Sequence, residues 1–253
     1  MILAGAGMFV YRWFHSGAQA VPTSVAIERY RHEAGDDPSG AGPAPGVYSY
    51  RGSGIETISV PPKSQSEGPG IPGTVVELPG GCFEFRLDYS DRHWQSWNYC
   101  VRAGALDSPS RAGYYYWDFV AFHVDDTSTF RCSPAVMTIP ADIVPGKRAA
   151  VSCTGSNDHL AIGPVSMRGS STVVGMSNVS VSGRMVIAVH VTENVTFSGG
   201  QSGFNSADTW FSAATGLPLR GTWHTVVSTA SPVGHSTLDA HGNFALTSLT
   251  PQT

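Results

Sequence analysis

The chain has 253 residues, a formal net charge of −4, and only 13% Asp, Glu, Lys and Arg, about half the ~25% usual in soluble domains. That length is ample for one large domain with a buried core. No Lys/Arg cluster offers a footprint for nucleic acid, so the polar surface must come from Ser, Thr, Asn and Gly, as is common outside the cytoplasm.

Residues 1–20 open with the apolar run Met1–Tyr11, which Arg12 interrupts before Trp13-Phe14. The run falls short of the ~17–25 residues of a spanning helix. Two readings stand: the outer end of a truncated membrane anchor, through which the chain would meet the membrane, or a signal segment with Ala18-Gln19-Ala20 as its cleavage site. Either puts the rest of the chain outside the membrane. The alternative is a buried N-terminal helix in a cytosolic protein. Residues 21–46 read as a short helix over Val21–Glu33, with Thr23 or Ser24 as cap and Gly35 as stop, and then a flexible linker, Gly35–Gly46. The folded domain is expected over 47–253.

From Val47 onward the pattern is alternation. Around Cys82 and Cys100 two runs face each other: Phe83, Phe85, Leu87 and Trp97, Tyr99, Val101. A reversal at Ser90-Asp91-Arg92 sets Phe83 against Tyr99 and Phe85 against Trp97. The same register brings Cys82 opposite Cys100 on the other face, which predicts a cross-strand disulfide. Tyr114–Val124 is apolar or aromatic on both faces, as in a strand covered twice or one lining a cavity. Cys132 and Cys153 bracket a second hairpin, less regular because of Pro134, with Pro140 and Pro145-Gly146 at its tip. Bridges of this kind belong to oxidising compartments.

Met185–Phe197 carries period two with one lapse, at Glu193. A three-residue loop, Ser182-Gly183-Arg184, would place Val181 opposite Met185 and Val179 opposite Ile187, keeping all four on one face. Ser206–Arg220 reads as strand, tight reversal at Gly216 and returning strand, with Trp210 meeting Leu219. Leu217, Leu219, Trp223 and Val227 then share one side, and Arg220, Thr222 and His224 the other. The last strand, near Asn243–Leu249, is weak.

Chemistry is harder to find. G-x-S-x-G, H-E-x-x-H, C-x-x-C and phosphate-binding glycine loops are absent. His123, Asp125 and Asp126 form the closest histidine–acid grouping. His190 and His224 lie on polar strand faces and can approach one another, which leaves a metal- or His/Asp-dependent hydrolase as an alternative. Asp88 and Asp91 beside His93 are assigned to turn geometry. No catalytic residue, metal or cofactor is assigned.

The segments V-P-T-S-V-A-I-E-R-Y-R, G-V-Y-S-Y-R-G-S-G-I-E-T-I, D-T-W-F-S-A-A-T-G-L-P-L-R and the ending L-T-S-L-T-P make the chain resemble an uncharacterised group of membrane-anchored extracytoplasmic proteins of actinobacteria. The W-F-S-x-x-T-G-L-P-L-R hairpin is also similar to one in LolA-like and LppX-like carriers, which implies a strongly curved, open or incomplete β-barrel around an apolar cavity. The expectation is therefore an all-β fold, a single strongly curved antiparallel sheet with a short N-terminal apolar or helical segment. It would be a non-enzymatic envelope protein binding a lipid or other hydrophobic ligand. Tyr114, Tyr116, Trp117, Phe119, Phe122, Trp210 and Trp223 are the candidate ligand contacts. The alternative is an assembly module that binds another envelope protein through an exposed sheet edge.

Overall fold

A computed structural model describes residues 17–34, 42–119, 122–231 and 234–253. The apolar run at 1–11, Arg12–Phe14 and most of the linker lie outside the described residues. Among the described residues one helix, α1 (Thr23–Glu33), precedes thirteen strands. These are β1 (Gly46–Ser59), β2 (Pro62–Glu67), β3 (Gly70–Leu78), β4 (Cys82–Ser90), β5 (His93–Arg102), β6 (Ala105–Asp118) and β7 (His123–Ile139). Then come β8 (Arg148–Asn157), β9 (Val165–Val181), β10 (Arg184–Gly199), β11 (Gln201–Ser212), β12 (Pro218–Ser231) and β13 (Gly234–Leu246).

From β3 onward each strand pairs antiparallel with the next, and β13 returns to pair with β1 from Tyr50↔Leu246 to Ile58↔Leu238. On its other edge β1 pairs with β3 along its first half and with β2 along its second, in one unbroken register (Gly46↔Val75, Gly54↔Glu67). β2 and β3 are thus two lengths of one strand interrupted at Gly68-Pro69. The result is a closed ring of twelve strands plus β2. This corrects the expected open or incomplete barrel. The closing strand is hard to read because its polar residues outnumber its inward ones, Leu238, Ala240, Phe244 and Leu246. Pairing both its edges satisfies backbone groups that an open sheet would leave exposed.

Inward positions carry the core, among them Phe83, Phe85, Leu87, Tyr99, Leu219 and Phe244. Outward positions carry Ser, Thr, His and Asp, as along Ser202, Ser206, Asp208, Thr222 and His224. A membrane-spanning barrel has the reverse pattern, apolar out and polar in. Among the described residues no helix is long and apolar enough to cross a membrane.

α1 forms where the sequence predicts it, although Pro22 holds the N-cap position and no side chain caps it. Its Ala26 and Tyr30 pack on Val47. Arg29 pairs with buried Asp88, which Arg86 also holds at 2.9 Å, fastening the helix to the outside of β4.

The β4–β5 hairpin has the predicted register, with Phe83↔Tyr99, Phe85↔Trp97 and Cys82↔Cys100 as partners. Cys82 and Cys100 are disulfide-bonded, as are Cys132 and Cys153, each pair with Cα atoms 3.9 Å apart. The β7–β8 ladder runs from Ser128↔Asn157 only as far as Cys132↔Cys153. It stops short of Pro134, which has no N–H to donate.

Three local expectations fail, each for a backbone reason. The β9–β10 loop has two residues, Ser182 and Gly183, both with positive φ (48° and 78°), so Val181 faces Arg184 and Val179 faces Val186. Two-residue turns with positive φ match the right-handed twist of the flanking strands, which type I and II turns would splay. Met185 and Ile187 consequently point outward, 64% and 58% exposed, and a bulge at His190/Val191 then turns Val191 and Val195 inward. A second bulge, at Trp210/Phe211, sends Phe211 inward and Trp210 outward, where it faces Arg220 rather than Leu219. Tyr114–Val124 is not one strand: β6 ends at Asp118 and β7 begins at His123. Gly216, at φ 73°, makes the predicted reversal before β12, and Leu217, Leu219, Trp223 and Val227 are all buried.

Candidate binding cavity and buried histidine cluster

One end of the ring is filled by aromatic and aliphatic side chains. Towards the other end it encloses a cavity of about 230 Å³, walled by Trp97, Trp117, Tyr115, Phe130, Phe211 and Trp223 among others. Arg111 of β6 and Glu193 of β10 reach across this space in a two-pronged ion pair, 2.5 and 2.9 Å. Glu193 is the lapse in the apolar alternation of β10. The sequence marks its position, and its partner is 82 residues away. Burial weakens a guanidinium's hold on its proton, but the facing carboxylate outweighs it and raises the pKa of Arg111. The Nε of Arg111 and the side-chain oxygen of Asn157 have no partner. Planar, two-pronged pairing of this kind both orients and neutralises the charges.

Behind part of the wall lies a second polar group. Glu56 of β1, Glu67 at the end of β2 and His93 at the start of β5 are all buried, His93 and Glu56 completely. The His93 Nδ1 is 2.5 Å from a Glu56 oxygen and is also paired with Glu67. Gln65, the cross-strand partner of Glu56, donates its amide to that carboxylate at 2.5 Å. The His93 ring lies between Tyr89 and Tyr115, with centroids 4.8 and 4.2 Å away, and Trp223 meets it edge-on at 5.6 Å. Tyr89, Tyr115, Trp223 and Gln95 are themselves cavity-lining residues, so they separate the cluster from the open space.

Burial alone would raise both carboxyls and lower the imidazole. For Glu67 burial wins, lifting its pKa to about 8. For Glu56 burial is outweighed by His93, and the carboxyl falls below its usual range. For His93 burial is outweighed by the two acids, and the imidazolium persists to about 10. One shared proton on the carboxyl pair and one extra on the ring leave the cluster close to neutral. Sequence reasoning assigned His93 to a hairpin tip. Its importance shows only when β1 and β2 are brought beside it.

The residues singled out from the sequence are dispersed. Trp117 and Trp223 line the cavity. Phe119 is buried and stacks at 5.0 Å on Phe122, which is half exposed. Tyr114, Tyr116 and Trp210 lie on the outer wall, stacked on Trp94, His123 and His190 respectively. His123, Asp125 and Asp126 do not form a group. Asp126 is buried and accepts hydrogen bonds from the Asn157 side chain and from the backbone N–H groups of His159 and Leu160, which staples a loop. His190 bonds Asp208 at 2.7 Å and His224 bonds Asp239 at 3.0 Å. His224, Asp239 and His241 do come together on the exposed face of β12 and β13. Asp88 holds α1 rather than shaping a turn, and Asp91 exchanges two hydrogen bonds of 2.8 Å with the backbone of Gln19.

The fold and cavity define a closed twelve-stranded antiparallel barrel with a water-facing wall and a partly hollow interior. Its cysteines are all disulfide-bonded, which fits an oxidising compartment outside the cytoplasm. No protein-family model and no curated protein matches the chain. Among solved structures the hypothetical lipoprotein YmcC of Escherichia coli (K12) aligns with 88% of this chain and 97% of its own. That alignment has 13% identity and a TM-score of 0.35, too loose a likeness to bear on function.

Proposed function

We propose that this protein is an extracytoplasmic envelope protein that binds a small, mainly apolar molecule inside its barrel. The observation that carries the reading is the cavity of about 230 Å³, walled by tryptophan and tyrosine and crossed by the Arg111–Glu193 pair. A cavity of ~150 Å³ lined by apolar side chains holds benzene, while pockets for drug-sized ligands span ~300–1,000 Å³. The size therefore favours a molecule of about one ring over a full acyl chain. Aromatic walls supply contact area, and the ion pair supplies a polar group to orient the occupant.

Native mass spectrometry of detergent-free protein tests this directly. One small adduct per chain is the expected result, and after its removal indole or a similar single-ring probe should raise Tm. Protein that carries no adduct and shows no Tm response to any of a set of one-ring probes would overturn the proposal. A second reading, docking of another envelope protein, is favoured by the outward strip of Val174, Met176, Met185 and Ile187, each 47–64% exposed. Crosslinking in native envelopes that captures one fixed neighbour, lost in Ile187→Glu, would favour that reading instead.

A further inference from the structure

We propose that Glu56, Glu67, His93 and Gln65 form a buried site for one divalent transition cation, of the class to which Zn²⁺ and Mn²⁺ belong. The donors converge from three strands: two carboxylates and one imidazole, with ligand atoms all within 4.8 Å of one another. An amide oxygen, that of Gln65, stands beside them. Carboxylate, imidazole and carbonyl oxygen are the ligands such cations take.

The convergence leaves buried acceptors unused. One oxygen of Gln65 and one of Glu67 have no hydrogen-bond partner, although these residues are only 3% and 6% exposed. An orphaned buried acceptor costs about 1–3 kcal/mol, and two in one place are what a cation would satisfy. Space is kept for the cluster as well. Gly54 and Gly242 face each other across β1 and β13, and a Cβ on Gly54 would come within 2.1 Å of a Glu67 oxygen.

Charge balances in either form. The protonated cluster is close to neutral, and a divalent cation with two carboxylates and a neutral imidazole is neutral as well, so the cation replaces the two protons without leaving buried charge uncompensated. The outer support is present too: the side-chain amide of Gln95 lies 3.3 Å from the His93 Nε2. With its oxygen turned to the ring it would accept the Nε2–H and leave Nδ1 for the metal, the usual arrangement around a ligating histidine. Tyr89, Tyr115 and Trp223 seal the site from the cavity, which makes this a structural site loaded during folding. Because those three rings rest on His93, the cation would also fix one wall of the cavity. Metal content and ligand binding are measured separately, so this inference and the binding proposal can fail independently.

The test is elemental analysis of protein folded in medium containing Zn²⁺ and Mn²⁺, followed by thermal melts with and without chelator. The expected result is one equivalent of metal per chain and a Tm that falls by about 5 °C or more on stripping, restored by the same metal. Glu67→Gln, nearly isosteric, should reduce the content below about a tenth of an equivalent. His241→Asn, in the exposed His224/Asp239/His241 group, should leave it unchanged. Metal-free protein whose Tm ignores both chelator and added cation would overturn the site. So would metal retained in Glu67→Gln but lost in His241→Asn.

Discussion

The two ends of the barrel interior are built on different principles. At one end Tyr50, Ile71, Phe83, Leu87, Val181 and Leu219 fill the ring with apolar side chains in contact. Towards the other, Glu56, Lys63, Glu67, His93, Arg111, Asp126 and Glu193 are buried or nearly so, and a void remains beside Arg111, Asp126 and Glu193. The first end supplies stability by excluding water and by dispersion contact. The second forgoes some of both, since buried charges contribute stability only when fully paired. A chain that invests this much polar chemistry in an interior, with the packed end to hold the ring closed, has the makings of a site.

The sharpest way to break this contrast is to unpair the charges. Arg111→Met should destabilise by about 3–5 kcal/mol, because Glu193 is left without its partner. The double variant with Glu193→Leu should recover most of that loss in chemical denaturation. A double variant as unstable as the single one would mean that the pair holds the ring by geometry rather than by mutual neutralisation. Next in size is a paired comparison at constant chemistry. Leu87→Ala, at the packed end, is expected to cost about 3–5 kcal/mol, and Leu238→Ala, on the cavity wall, about 2 kcal/mol or less, because contacts there are already missing. Equal losses would show that the two ends pack alike.

The smallest effect sharpens the comparison further. Ala207, between Glu193 and Trp223 in the cross-strand register, lines the void. Ala207→Val should change stability by less than about 1 kcal/mol, in either direction, while weakening uptake of a one-ring probe at least tenfold in titration. Unchanged uptake would place the occupied volume elsewhere.

How much of this was legible beforehand differs from hairpin to hairpin. In β4–β5 the hydrophobic pattern and the cysteines demand the same register, so the pairing and the disulfide follow from spacing. In β9–β10 the apolar alternation is just as strong, yet Ser182-Gly183 and the bulge at His190 reverse which residues face inward. Alternation shows that a strand has two faces, while turn and bulge geometry decide which face is buried. The cavity was visible only as an oddity, the charged Glu193 in an apolar row. The histidine cluster had no signal, since Glu56, Glu67 and His93 are separated along the chain and each is unremarkable locally.

The sequence by itself determined an all-β chain with antiparallel hairpins, a short helix before them and the cross-strand disulfide Cys82–Cys100, while the Cys132–Cys153 bridge was settled by the structure. Each of the features read from the sequence depends on residues close together in the chain or on a period the eye can follow. Closure of the ring, the facing of Arg111 with Glu193 and the meeting of Glu56 and Glu67 with His93 were decided only in three dimensions. They depend on strands distant in sequence sharing one interior, and burial assigns their charges a role that no local pattern encodes.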